Sequence, residues 1–188
     1  MTDVAVFDAC VLYSASLRDL LLWLGYAGLV RPFWSEEIRD EWIDNLLRNR
    51  PDLTREQQER TYRKMNLHFP HGLVRGYESI TPTLTLPDPK DRHVLAVAIQ
   101  AKADYIVTFN LKDFPNTILR AYNVEAVPPD EFVFRLVQKI PDRVLRVVKL
   151  HRLRLKRPSK TVDEYLATLA KQGLPKTVAF LRKHEADI

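Results

Sequence analysis

A single cysteine, Cys10, leaves this 188-residue chain without an intrachain disulfide framework and without a Cys-rich zinc site. No apolar run approaches the roughly 18 residues of a membrane span, and the N-terminus lacks the basic segment of a signal peptide, so the expected location is cytoplasmic. Glycine is scarce, at five residues, against twelve prolines placed mostly at apparent element boundaries. There is no low-complexity tract and no internal repeat. With 46% hydrophobic residues the chain can bury a substantial core, enough for one domain plus a small appendage.

The net charge of +5 is unevenly distributed. Residues 139–188 hold thirteen Lys/Arg against five Asp/Glu, a net +8, which leaves sixteen against nineteen, or −3, for residues 1–138. An acidic site and a basic surface therefore fall on different parts of the chain. A protein that cleaves phosphodiesters can use both, cations to attract the backbone and carboxylates to hold a metal.

Strands and helices alternate along the first two thirds. Val4-Ala5-Val6-Phe7 reads as a strand buried on both faces, ending in Asp8. Leu17, Leu20, Leu21 and Leu24 mark a helix with Gly25 and Gly28 near its end. Ser35 is the N-cap of another, with Glu36 and Glu37 in its first turn and Ile38, Trp42, Ile43, Leu46 and Leu47 as its buried stripe. Thr54 and Gln57 form a capping box for a charge-rich helix to about Asn66. Residues 68–86 are the least legible, with a strand expected around Tyr77 to Ile80. Asp88-Pro89 opens a helix carrying Val94, Leu95, Ala98 and Ile99, and Tyr105 to Thr108 and Val124 to Val127 read as strands. This is the pattern of an α/β fold with a parallel sheet covered on both faces. After Pro128-Pro129-Asp130 the chain reads as all-helical, so residues 1–128 form the expected core domain and 129–188 a helical C-terminal appendage.

Four acids stand where apolar segments end: Asp8, Glu41, Asp91 and Asp113. Gathering carboxylates is costly unless positive charge draws them together, and a hard divalent cation is the first group to expect. In an open parallel sheet, functional groups collect at the carboxyl ends of strands, where Asp8 and the Asn110 to Asp113 segment would lie. Glu41 falls about 60° outside the Ile38 edge of its helix's apolar stripe, at roughly 100° per residue. Asp91 lies in a first turn, where the helix dipole favours its ionised form, and Asp88 serves as cap.

The segments FDACVLYSASLRDLLLWL, WSEEIRDEW and LPDPKDRHVLAVAIQAKADYIVTFNLKDFP resemble the PIN domain, in particular the VapC-like toxins of bacterial toxin–antitoxin pairs, over roughly residues 4–128. The appendage resembles the helical C-terminal extension of one subgroup of these toxins. The resemblance implies a three-layer α/β/α sandwich around a parallel sheet and a Mg²⁺- or Mn²⁺-dependent endoribonuclease; metal-assisted attack of water on the phosphodiester, with the 3′ oxygen leaving, is expected to give 5′-phosphate and 3′-hydroxyl ends. It also implies a cognate antitoxin, docked by expectation on exposed apolar side chains of the first two helices, and a possible homodimer. It assigns the catalytic, metal-binding cluster to Asp8, Glu41, Asp91 and Asp113, with Asn110, Asp88 and Thr108 in support.

Two departures stand out. Asp8 is followed by Ala9-Cys10, where the family often has Asn two residues on, leaving a weak thiol donor. Thr108-Phe109-Asn110 replaces a Thr-x-Asp pattern, and Asn110 can offer only its carbonyl oxygen. RNA contacts are expected from Tyr13, Arg18, Arg92 and the basic run Arg146, Lys149, Arg152, Arg154, Lys156 and Arg157, with His93 as a further substrate-contact candidate. A haloacid-dehalogenase-like phosphatase would need an acid where Cys10 stands. The alternatives are a PIN-like module that binds RNA or a partner without cutting, and a PIN nuclease of general RNA processing.

Overall fold

The computed structural model describes residues 2–156 and 158–188; Arg157, one of the expected RNA contacts, lies outside the described residues. Four strands, β1 (Asp3–Phe7), β2 (Val30–Phe33), β3 (Tyr105–Val107) and β4 (Glu125–Val127), form one parallel sheet in the order β2-β1-β3-β4. Ala5, Val6 and Phe7 of β1 are fully buried and pair with Tyr105, Ile106 and Val107 of β3. The uninterrupted apolar run is what a central strand with both neighbours occupied requires. The α/β class, the parallel sheet and the helical C-terminal region expected from the sequence are all present.

Contacts between Cα atoms divide the chain into two compact units. One takes in the N-terminal residues to Tyr13 and Val30–Val127. It holds the sheet, α1 (Ala9–Leu12), α3 (Glu36–Asn49), α4 (Arg55–His68), α5 (Arg92–Ala101) and α6 (Asn116–Leu119). The other unit comprises Ser14–Leu29 and Pro128–Ile188. It joins α2 (Ala15–Tyr26) with α7 (Pro129–Lys139), α8 (Pro141–Arg154), α9 (Val162–Lys171) and α10 (Pro175–Arg182). The helix read from the Leu17 to Leu24 spacing therefore groups with the C-terminal helices, although it precedes β2 in sequence.

Within the first unit the chain steps from β1 to β2 on one side, then returns past β1 to β3 on the other. Between β1 and β3 the direction of travel reverses, and the crevice beyond their carboxyl ends is where such sheets carry function. The ladder runs on past the strands: Asp8 N donates to Val107 O at 3.1 Å and Thr108 N to Val127 O at 3.0 Å. Asp8 and Thr108 are thereby fixed at the crevice by main-chain bonds.

Local caps follow the sequence. Ser35 accepts from Ile38 N, and the boxes at Thr54/Gln57 and Thr161/Glu164 are closed in both directions. Asp130 caps α10 from a distance, its carboxylate accepting from Lys176 N and Thr177 N, both at 2.9 Å. In the same unit His151 is buried between Tyr165 OH at 2.8 Å and Asp19 Oδ2 at 2.9 Å.

One expectation differs from the structure. Tyr77 to Ile80 is not a strand: Ile80 N and Thr81 N both bond back to Tyr77 O, and the turns lead into a 3-10 helix at Thr81–Thr83 with Pro82 in it. Conversely, Arg31-Pro32 lies inside β2. Proline is tolerated there because β2 is an edge strand with only one neighbour to satisfy.

Candidate functional site

Asp8 caps α1 in an extended conformation and is 3% exposed. Its Oδ1 accepts from Ala9 N at 2.6 Å, and its Oδ2 accepts from Thr108 Oγ1 at 2.7 Å and from the Cys10 thiol at 3.2 Å. Burial pushes the Asp8 carboxyl up from its ordinary value, against the bonds from Thr108, Cys10 and Ala9, which favour the ionised form; the charge of Glu41 adds to the rise. Thr108, fully buried, also accepts from Asn110 N at 3.0 Å, while Cys10 Sγ accepts from Phe109 N at 3.4 Å. The thiol therefore fills the polar position two residues after Asp8 and ties it to the loop after β3. Burial and the neighbouring Asp8 push the thiol up to about 12, which keeps it a neutral donor.

Asp91 ends the 3-10 turn Pro89–Asp91 at the start of α5, and its side chain makes no capping bond. Asp88 does the capping, accepting from Lys90 N at 2.9 Å. Asp91 is pushed up to about 6, first by burial and then by the charges of Asp8, Asp113, Asp88 and Glu41. Carboxylates from β1's end, α3, the α5 start and the loop after β3 are thus close enough to oppose one another's ionisation. Asp113 closes the 3-10 turn Leu111–Asp113 and is half-buried, with Asn110 exposed just before that turn.

Glu41 is at the margin between core and solvent, its side chain 37% exposed. His93 Nε2 lies 3.1 Å from Glu41 Oε1, and its Nδ1 lies 3.8 Å from Glu37 Oε2, one turn earlier on α3. Tyr77 OH donates to that same Glu37 oxygen at 3.4 Å. Burial disfavours the charged ring, but the Glu41 bond and the charges of Glu41, Glu37 and Asp8 outweigh it and raise the His93 pKa. With its side chain 2% exposed, His93 stands behind Glu41 and holds it. The sequence did not single out Glu37 as part of this site. Its i, i+4 spacing to Glu41 on α3 is the signal that could have found it.

The expected RNA contacts lie in varied settings. Arg92 is half-buried, its Nε buried without a hydrogen-bond partner. Tyr13 is also half-buried. Arg18 is 7% exposed, and burial pulls its pKa down to about 10. Arg152 donates to Lys160 O and Ile188 O, and Arg154 lies over the Trp23 ring at 5.9 Å. Arg146, Lys149 and Lys156 are exposed.

An all-oxygen donor set suits a hard divalent cation, and the carboxylates of Asp8, Glu41, Asp91 and Asp113 have that chemistry. Among the described residues no group of three or more His, Cys, Asp or Glu is arranged to hold a metal ion.

Fold and site together define an α/β protein with a carboxylate site at the switch point of a parallel sheet. The chain belongs to the PIN domain family, whose match covers residues 4–112. Residues 129–183 match the family described as VapC50 C-terminal domain. Among curated proteins, "Putative ribonuclease VapC50" of Mycobacterium tuberculosis (strain ATCC 25618 / H37Rv) is 52% identical over 44 residues, 23% of this chain and 26% of that protein. The match thus spans about a quarter of that relative's length. No solved structure matches the chain.

Proposed function

We propose that this chain is a Mg²⁺-dependent endoribonuclease, with Mn²⁺ as a substitute, that cuts RNA to 5′-phosphate and 3′-hydroxyl ends. In this reading it is the toxin of a toxin–antitoxin pair, residues 1–128 carry the chemistry, and the basic helical extension at 129–188 serves RNA or the antitoxin. The observation that carries the reading is the buried carboxylate of Asp8, held at the carboxyl end of β1 by bonds from Thr108, Cys10 and Ala9, with the carboxylates of Asp91 and Glu41 nearby. Membership of the PIN family and the name of the mycobacterial relative support it. No helix among the described residues is long and apolar enough to cross a membrane, and an RNA substrate makes the cytoplasm the proposed location.

Asp8, Asp91, Glu41 and Asp113 would hold the cation, which supplies neutralisation of the phosphate and Lewis-acid activation of water. Asp8 has its orientation set beforehand by Thr108, Cys10 and Ala9. Glu41 is braced by His93. Asp91 spends no side-chain oxygen on capping α5, so its carboxylate can turn to the cation. Asn110, exposed two residues after Thr108, can offer its side-chain carbonyl oxygen.

Purified protein, freed of any co-purified partner, is incubated with total bacterial RNA in Mg²⁺, Mn²⁺ or EDTA. Discrete cuts that require the cation and disappear in Asp8→Asn support the reading. RNA binding by a folded protein with no cation-dependent cut makes the chain a binding module instead.

A further inference from the structure

Phe109 is the one exposed phenylalanine among the described residues, 45% exposed where the rest of its kind are buried or half-buried. An aromatic ring left in water forgoes a burial free energy that most of this chain's rings collect. The position is also a fixed one. Phe109 follows Thr108, whose hydroxyl bonds to Asp8 Oδ2, and its own amide donates to Cys10 Sγ at 3.4 Å. Its other neighbour, Asn110, is tied through its amide to Thr108 Oγ1 at 3.0 Å. The backbone on both sides of the ring is therefore anchored to the network that positions Asp8. Leu111, 42% exposed, extends the apolar surface on the same short loop. A flexible loop would carry such a ring without aim, whereas this one is held at the rim of the carboxylate site.

We infer that Phe109 is a stacking platform for an unpaired nucleobase of the RNA, next to the phosphodiester that the carboxylate site addresses. This rests on the reading of the site as a ribonuclease and adds to it a contact that positions unpaired RNA. Single-stranded RNA is gripped where unstacked bases lie on aromatic faces, a contact that tolerates any base and needs no groove. The proposal explains why the loop keeps an exposed ring one residue from Thr108, and it makes single-stranded RNA the preferred substrate over a duplex.

The test uses the full chain carrying Asp91→Asn, so that RNA is bound but not cut, and a mixed-sequence single-stranded oligoribonucleotide with a fluorescent end label. Affinity is measured by anisotropy for Phe109, Phe109→Leu, Phe109→Ala and Phe109→Trp on that background. Loss of the ring is expected to weaken binding about 5- to 100-fold in both the Leu and Ala variants. Phe109→Trp is expected to keep the affinity, with its emission quenched on RNA addition. On an abasic oligomer of the same length the variants are expected to bind alike. Equal affinity of Phe109 and Phe109→Ala for the base-bearing oligomer overturns the inference and leaves the nuclease reading standing. A Leu variant that binds as well as Phe overturns stacking in favour of simple apolar contact. Failure of the Phe109 protein to bind RNA at all overturns both readings.

Discussion

Replacing Asp91 by Asn removes a carboxylate that the fold holds at about 6 instead of its ordinary 3.8, through burial and the charges of Asp8, Asp113, Asp88 and Glu41. At about 1.4 kcal/mol per pKa decade the shift corresponds to roughly 3 kcal/mol. Partial exposure and solvent screening reduce this to about 1.5 kcal/mol. The sign follows from linkage: a carboxyl whose folded pKa is raised favours the folded state below pH 3.8, and that contribution is lost as pH rises through about 6. Without metal at pH 7.5, wild type therefore carries a cost that Asn does not. Asp91→Asn is expected to be more stable by about 1.5 kcal/mol, a Tm rise of about 3–6 °C for a chain of this size. At pH 4 the gain should vanish. Adding Mg²⁺ reverses the order, because a cation at a hundredfold excess over its Kd stabilises wild type by about 2.7 kcal/mol and the variant far less. Thermal and urea unfolding in EDTA and in Mg²⁺ at both pH values measure all four corners. A variant less stable than wild type in EDTA at pH 7.5, or a gain that persists at pH 4, would refute the clustering of charge around Asp91.

Other perturbations probe the supporting structure. Thr108→Val deletes the 2.7 Å bond to Asp8 Oδ2 at constant shape, and is expected to cost about 1–3 kcal/mol in urea unfolding and to weaken Mn²⁺ binding by calorimetry. His93→Ala leaves a cavity behind Glu41 and is expected to destabilise by roughly 2–4 kcal/mol, with His93→Gln recovering part of it. Asp130→Ala frees the amides of Lys176 and Thr177 and should cost about 1–2 kcal/mol in urea unfolding without changing metal affinity. Lowering the pH through about 6 protonates Asp91, so Mg²⁺ affinity should fall with it; affinity flat between pH 7.5 and 5 would contradict that assignment.

The features carried by local pattern were legible in the sequence. Val4 to Phe7 announced a central strand because a strand with two neighbours is apolar on both faces. Ser35 and Thr54 announced helix starts because a cap is a contact within four residues. β2 was not legible, since Arg31 and Pro32 interrupt it and only its edge position makes them tolerable. Tyr77 misled because the ring is buried, as in a strand, while the backbone turns to bond Ile80 and Thr81. The placement of Asp8 at a strand end followed from the sequence. The thiol of Cys10 bridging Asp8 and Phe109 did not, since its bond from Phe109 N joins residues 99 positions apart. The same holds for His93 behind Glu41, and for α2 grouping with helices that follow Pro128.

The most direct test maps RNA ends after incubation of wild type and Asp8→Asn with total bacterial RNA, in Mg²⁺ and in EDTA. Discrete cuts with 5′-phosphate ends, seen only for wild type and only with the cation, are the predicted result. Cuts that survive EDTA or the loss of Asp8, or no cuts by a folded protein, would contradict the account.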